Sequence, residues 1–155
     1  MNLEAWREDR SYQFGRLLAV LDFAEWKVLT RKERKSRDTN AMRLQVMFTE
    51  RPMTATGLIV KSVVPYMSKL PGQIRITVEE LRDEILVELG NFPELDINRP
   101  LGPTYLLGYA AQRNELRSMF SAVVTEEEEE PDETEDEDVS EEAPEEAPDE
   151  VPEEE

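Results

Sequence analysis

Basic side chains cluster between the first two predicted helices of this sequence. The segment TRKERKSRD, residues 30–38, sets five of them against Glu33 and Asp38. The five are Arg31, Lys32, Arg34, Lys35 and Arg37. Arginine forks and lysine point charges suit a polyanionic backbone, so we predict a phosphate-contacting loop. A loop that only keeps the protein soluble would have the same composition, and both interpretations stay open.

Six further basic residues could extend this surface: Arg43, Arg51, Lys61, Lys69, Arg113 and Arg117. The sequence leaves open whether they share one side of the molecule. Trp6 and Trp26 could stack on nucleic-acid bases, but in a small helical domain tryptophan is more often a core or interface residue.

Catalytic chemistry has little support in the residue types. The chain contains no histidine and no cysteine, which removes the commonest general base, thiolate chemistry and the usual zinc sites. Five acidic residues lie mainly opposite the apolar stripe of their predicted helix, where we expect a solvated face: Glu79, Glu80, Asp83, Glu84 and Glu88. We therefore predict that the protein is not an enzyme and has no cofactor or metal.

Charge divides the chain into two parts. Residues 126–155 contain 20 acidic residues, no basic residue and four prolines, which leaves the body near a net charge of +2 although the whole chain carries −18. We predict a helical domain over residues 1–124 and a disordered acidic tail over 125–155, because such a tail has too little apolar surface to fold. The tail would either keep the protein soluble or, at a tethered concentration of about millimolar, compete with stray nucleic acid for the basic surface.

Apolar periodicity favours an all-α bundle of about five helices. The first helix carries its apolar residues at three- and four-residue steps: Phe14, Leu17, Leu18, Leu21, Ala24 and Val28. Pro52 suits the first turn of a later helix. QIRITV, residues 73–78, is the only candidate strand. No apolar run approaches a membrane span, so we expect a cytoplasmic protein.

Three further predictions concern the ends of the remaining helices and the side chains that they bury. In the second helix, TNAMRLQVMF, we place Met42, Val46 and Met47 inward. Thr77 and Glu80 form a capping box that starts a further helix, which Gly90 ends. In the last helix, Leu106, Leu107 and Tyr109 pack into the bundle, whereas Gln112, Arg113 and Arg117 face a neighbour or a phosphate.

Three stretches taken together resemble a known family. They are YQFGRLLAVLDFAE (Tyr12–Glu25), the segment Asp38–Leu70 and TYLLGYAAQRNEL (Thr104–Leu116). In order and approximate spacing they are similar to the C-terminal helical region of the large-subunit family of type I-C CRISPR Cascade complexes. In that family the small subunit is similar to this region and can be made from an internal start within the large-subunit gene.

The resemblance implies a non-enzymatic small subunit, stacked in copies along an RNA-guided complex. Its partners would be the backbone and large subunits, the guide RNA complex, the target and displaced DNA strands, and other copies of itself. Five residues fall on polar positions of the family pattern: Asn40, Arg43, Arg51, Gln112 and Arg113. We assign Asn40 and Gln112 to subunit contacts and the arginines to nucleic acid.

A second hypothesis gives the function to the tail. The chain would then be an acidic-tailed helical interaction module, or a nucleic-acid mimic, that regulates a basic partner.

Overall fold

The described part of the protein is helical throughout its regular elements. A computed structural model describes Trp6 and residues 8–127, and no strand occurs among them. The helices are α1 (Arg10–Val28), α2 (Arg31–Ser36), α3 (Asn40–Arg43), α4 (Gln45–Glu50), α5 (Pro52–Met67), α6 (Gly72–Leu89), α7 (Glu94–Ile97) and α8 (Thr104–Glu127). The predicted all-α class is confirmed. Residues 128–155, which make up most of the predicted acidic tail, lie outside the described residues.

Helix α1 is the central element of the core. It packs against α8 most extensively and also against α5 and α6. The predicted stripe is confirmed, because Phe14, Leu17, Leu18, Leu21 and Ala24 are buried and Val28 packs against them from a partly buried position. Val20 is also fully buried, so α1 meets neighbours on more than one side.

Two glycines bring the backbones of α1 and α8 together. A Cβ atom on Gly15 would overlap the carbonyl oxygen of Tyr105, and one on Gly108 would overlap the carbonyl oxygen of Tyr12. Any side chain at either position would push the helices apart, since helix separation depends on the residues at the contact. The first half of α1 therefore lies directly on the first half of α8.

The loop before α8 is tied to the start of α1. The Arg10 guanidinium donates hydrogen bonds of 2.9 Å to the carbonyl oxygens of Ile97, Arg99 and Pro100. The Ser11 hydroxyl accepts one of 2.9 Å from the Gly102 amide. These contacts fix where α8 begins relative to α1.

The predicted second helix is interrupted at Leu44. Met42, before the break, packs against the core as predicted, but the inward positions assigned to Val46 and Met47, after the break, were wrong. Leu44 has φ −97° and ψ 9°, which ends α3 and starts α4 in a different phase. Val46 is 72% exposed and Met47 is exposed as well. Phe48 takes the interior position and meets the Phe14 ring edge-on at 5.9 Å between centroids.

Helix α6 starts at Gly72, and the predicted capping box at Thr77 was wrong. The Thr77 hydroxyl instead donates to the Gln73 carbonyl oxygen at 3.1 Å, in the interior of the helix. The QIRITV segment is thus helical rather than a strand. The end of the helix at Gly90 is confirmed, as is Pro52 in the first turn of α5. Val78, Ile85 and Leu89 are buried on one face of α6.

The anchors predicted for the last helix were also wrong in part. Leu106 and Leu107 are 51% and 44% exposed. The buried face of α8 follows a four-residue step through Gly108, Gln112, Leu116 and Phe120. A leucine cannot take the place of Gly108 because α1 comes too close there.

The backbone contact can be tested with single alanine variants. We expect Gly108→Ala to lower the free energy of unfolding by about 2–3 kcal/mol, the usual cost of overpacking a core. Gly57→Ala is the matched control, since a Cβ there meets nothing within 4 Å. It should raise stability by about 0.5–1 kcal/mol, because alanine is the better helix former. Urea unfolding followed by circular dichroism measures both, and a Gly108→Ala protein as stable as the parent would contradict the contact.

Candidate nucleic-acid interface

The basic segment forms a short helix and not the predicted loop. Thr30 caps α2: its hydroxyl accepts from the Glu33 amide at 3.2 Å, and its own amide donates to the Glu33 carboxylate at 2.8 Å. These two hydrogen bonds lower the pKa of Glu33. The signal for this capping box, threonine followed three residues later by glutamate, was present in the sequence.

Arg37 is held against the fold by a buried carboxylate. Its guanidinium donates to the Glu25 carboxylate at 3.0 Å and to the Tyr66 hydroxyl at 2.9 Å. The hydrogen bond to Tyr66 raises the pKa of Arg37, and the hydrogen bond to Glu25 adds to this effect. The Glu25 side chain is fully buried and also accepts from the backbone amide and the side-chain amide of Asn40. Arg37 and Asn40 therefore join α1 to the start of α3.

Arg34 lies on the C-terminal end of α1. Its guanidinium carbon is 3.9 Å from the centroid of the Trp26 ring, and it donates to the carbonyl oxygens of Trp26 and Lys27 at 3.0 and 3.3 Å. A cation at this end of a helix is favourable because the last carbonyl groups carry partial negative charge. The contact turns α2 back against α1.

A groove between the C-terminal halves of α1 and α8 brings three of the predicted arginines together. Its larger part has a volume of about 290 Å³ and is lined by Phe23, Trp26, Lys27, Arg34, Leu116, Arg117, Phe120 and Ser121. A smaller part of about 50 Å³ adjoins it and is lined by Ala19, Asp22, Phe23, Trp26, Arg113 and Arg117. We call this feature the α1–α8 groove. It combines four cationic side chains with aromatic rings, of which Trp26 is 44% exposed.

One carboxylate, Asp22, faces the smaller part of the groove. It accepts a hydrogen bond of 2.8 Å from the Tyr109 hydroxyl and another from the Thr39 hydroxyl. Burial, followed by the charge of Asp22, raises the pKa of Tyr109 to about 12. Asp22 thus links α1, α3 and α8 beneath the guanidinium groups.

The other predicted site residues lie elsewhere. Arg31, Lys32 and Lys35 are exposed on α2. Arg43 and Arg51 are also exposed, and none of these five residues lines the groove.

Gln112 requires a correction. Its side chain is 1% exposed, accepts from the Arg16 guanidinium at 2.9 Å and donates to Glu115 at 2.8 Å. Arg16 in turn donates to Gln13 at 3.1 Å. The amide of Gln112 joins α1 to α8, so the predicted subunit contact at this residue is wrong.

Sequence reasoning missed Lys27 and underrated Trp26. The spacing of Phe23, Trp26 and Lys27 at helical steps indicated that they share one side of α1, but the sequence could not show that α8 leaves this side open.

For the acidic residues of α6 the structure adds no metal chemistry. Within Trp6 and residues 8–127, no group of three histidine, cysteine, aspartate or glutamate side chains could hold a metal ion.

The fold and the groove together define an all-α protein with a cationic, aromatic surface. Residues 1–117 match the family described as CRISPR-associated protein (Cas_Csd1). This match covers most of the chain, and the protein belongs to that family. No curated protein matches the sequence. The predicted association with CRISPR is confirmed, while the type I-C subtype and the likeness to the large subunit stay predictions. In the described part of the chain, no helix has both the length and the apolar character to cross a membrane.

Replacing Arg37 should destabilise the fold. In Arg37→Ala, the fully buried Glu25 loses its charge partner. We expect a loss of about 2–3 kcal/mol in the free energy of unfolding, below the 3–5 kcal/mol of a fully buried pair because Arg37 is partly exposed. Lys35→Ala, at an exposed position of α2, should stay within about 0.5 kcal/mol of the parent. Equal urea midpoints for the two variants would show that Glu25 does not depend on Arg37.

Tyr109 should make stability fall at alkaline pH. Its pKa rises from 10.0 to about 12 in the folded chain, so folding favours the protonated phenol. The stability linked to this group is complete below pH 10 and is lost as the pH rises to about 12. Urea unfolding at a series of pH values measures the loss.

Two variants identify the group responsible. Tyr109→Phe should remove this part of the pH dependence. Asp22→Asn takes away the carboxylate charge and should shift the loss toward lower pH. An unchanged pH profile in Tyr109→Phe would assign the loss to other groups.

Proposed function

We propose that this protein is the non-catalytic small subunit of a type I-C Cascade effector, which packs along the backbone subunits and stabilises unwound target DNA. The observation that carries the proposal is the α1–α8 groove: a chain of a CRISPR-associated family gathers Arg34, Arg113 and Arg117 beside an exposed tryptophan. The family supports a role in a CRISPR system, and the groove supports contact with a polyanion.

The chemistry of the groove suits a single nucleic-acid strand. Arginine and lysine contact phosphates without regard to sequence, and aromatic rings stack on bases of any identity. Lys27 and the three arginines supply the first interaction. Trp26, which is exposed and carries the Arg34 guanidinium over its ring, supplies the second. In an RNA-guided complex, base pairing with the guide reads the sequence, so contacts of this kind are what the protein needs to provide.

Binding by one copy would be weak. The groove has four cationic side chains and Asp22 beside them. Several copies along one complex would add their contacts, because each further contact forms at a high effective concentration. The proposed partners are accordingly the backbone and large subunits, the guide RNA complex, both DNA strands and other copies of the chain.

Reversing the charge of two groove arginines should weaken DNA retention by the assembled complex. Arg113→Glu/Arg117→Glu changes exposed residues of α8 and leaves the structural pairs of Arg34 and Arg37 intact. Losing two phosphate contacts should flatten the logarithmic salt dependence by about 1.4 for each bound copy. The measurement is retention of target DNA by the guide-RNA complex over a series of salt concentrations.

The matched control is Lys61→Glu/Arg75→Glu. It makes the same change in net charge at exposed positions of α5 and α6, away from the groove. We expect its salt slope to equal that of the parent. A groove variant with the parent's slope would contradict DNA contact, and target binding unchanged when the protein is omitted would contradict the subunit role.

A further inference from the structure

The groove lies near the end of α8 from which the acidic segment departs. Phe120 and Ser121 line it, and the described helix continues to Glu127. Residues 128–155 follow, with 18 acidic residues and no basic one. A strongly anionic segment therefore begins within two helical turns of a cationic groove.

We propose that residues 128–138 of the same chain occupy the α1–α8 groove, so that the tail is an intramolecular competitor of nucleic acid. The competition rests on the proposed function, whereas the contact between tail and groove does not. Nucleic acid would have to displace the tail before it could reach Arg113, Arg117 and Trp26.

Charge complementarity supports this occupant. The groove presents Lys27, Arg34, Arg113 and Arg117, and its one carboxylate, Asp22, is engaged by two hydroxyl groups. Residues 128–138 contain nine carboxylates, which guanidinium groups bind with two parallel hydrogen bonds. Arg113 and Arg117 are exposed, so a carboxylate can bind them without breaking the contacts that hold Arg34 against α1.

The segment after Glu127 is long enough to fold back along α8 to the groove. From Glu127 back to Arg117 the helix axis covers about 15 Å. The eleven residues 128–138 can span about 36 Å when extended, so the segment can turn back and lie along the groove. Tethering gives an effective concentration near millimolar, at which even weak pairing fills the groove.

A spin label on the tail tests the contact in the full chain. The protein has no cysteine, so Thr134→Cys provides a single thiol for a nitroxide. The two tryptophan indole groups are built-in probes: Trp26 lines the groove, and Trp6 stacks near Tyr12 at the far end of α1. We expect the label to broaden the indole N–H resonance of Trp26 and to spare that of Trp6. Near 1 M salt, where the Debye length is about 3 Å, the Trp26 signal should recover.

Charge variants show whether the groove is the binding site. In the labelled chain, Arg113→Glu/Arg117→Glu should abolish the broadening at Trp26, and Lys61→Glu/Arg75→Glu should preserve it. No broadening at Trp26, equal broadening of both indoles, or broadening that survives the groove variant would overturn the proposal. Broadening of isotope-labelled chains by a spin label on separate unlabelled chains would show a tail from another copy and would also overturn it.

A last step separates this proposal from the proposed function. Adding a single-stranded oligonucleotide should restore the Trp26 signal if nucleic acid and tail compete. A signal that stays broadened would overturn the competition and count against DNA binding by the groove, but the tail contact would stand. The opposite failure, no tail contact with intact DNA retention by the complex, would leave the proposed function in place.

Discussion

The close contact between α1 and α8 at Gly15 and Gly108 determines the rest of the structure. Residues near the start of α1 meet residues near the start of α8, and farther along Phe23 stacks on Phe120 at 5.7 Å. The two helices thus run in the same direction, touching at their glycines and separated by large side chains beyond them. The α1–α8 groove is the opening that this change in side-chain size leaves. Lys27 and Arg34 also lie at the negative end of the α1 dipole, which favours basic residues there.

Some basic residues are bound to charged and polar partners within the fold, and others are free to act at the surface. Arg16 and Arg37 are bound to partners within the chain, and Arg34 is bound to the end of α1 while still lining the groove. A cluster that looks uniform in sequence therefore contains structural and surface residues side by side. A buried carboxylate is costly unless it is paired and hydrogen-bonded, and this explains why Glu25 has both Arg37 and Asn40 as partners.

The confirmed predictions depend on local periodicity and proline geometry, whereas most of the errors concern tertiary neighbours. The capping boxes are the exception, since the one at Thr30 was missed and the one at Thr77 was wrong. The buried stripe of α1, the all-α class and the start of α5 at Pro52 follow from periodicity and from proline geometry. By contrast, Leu106 and Leu107 were placed inside because leucine is apolar, although the approach of α1 reserves that face for Gly108. The break at Leu44 changes which side chains face the core, and no residue type near it, such as proline or glycine, predicts a break. Arg34 and Arg117 were identified by charge, and Arg113 by charge and by the family pattern. Only tertiary contacts show that the three share a groove and that Gln112, adjacent to Arg113, is buried.

The net charge of the chain and the charge of its groove act over different distances. At physiological salt the Debye length is about 8 Å, so the acidic residues beyond the groove and the groove itself act separately on an approaching polyanion. At longer range the net charge of −18 repels free nucleic acid. Within the groove, once the tail is displaced, four cations and the exposed ring of Trp26 attract it. Such a surface works best where other subunits already hold the strand in position, because association then does not depend on long-range steering. This is the setting that an RNA-guided complex provides, and it reconciles an acidic chain with a role at nucleic acid.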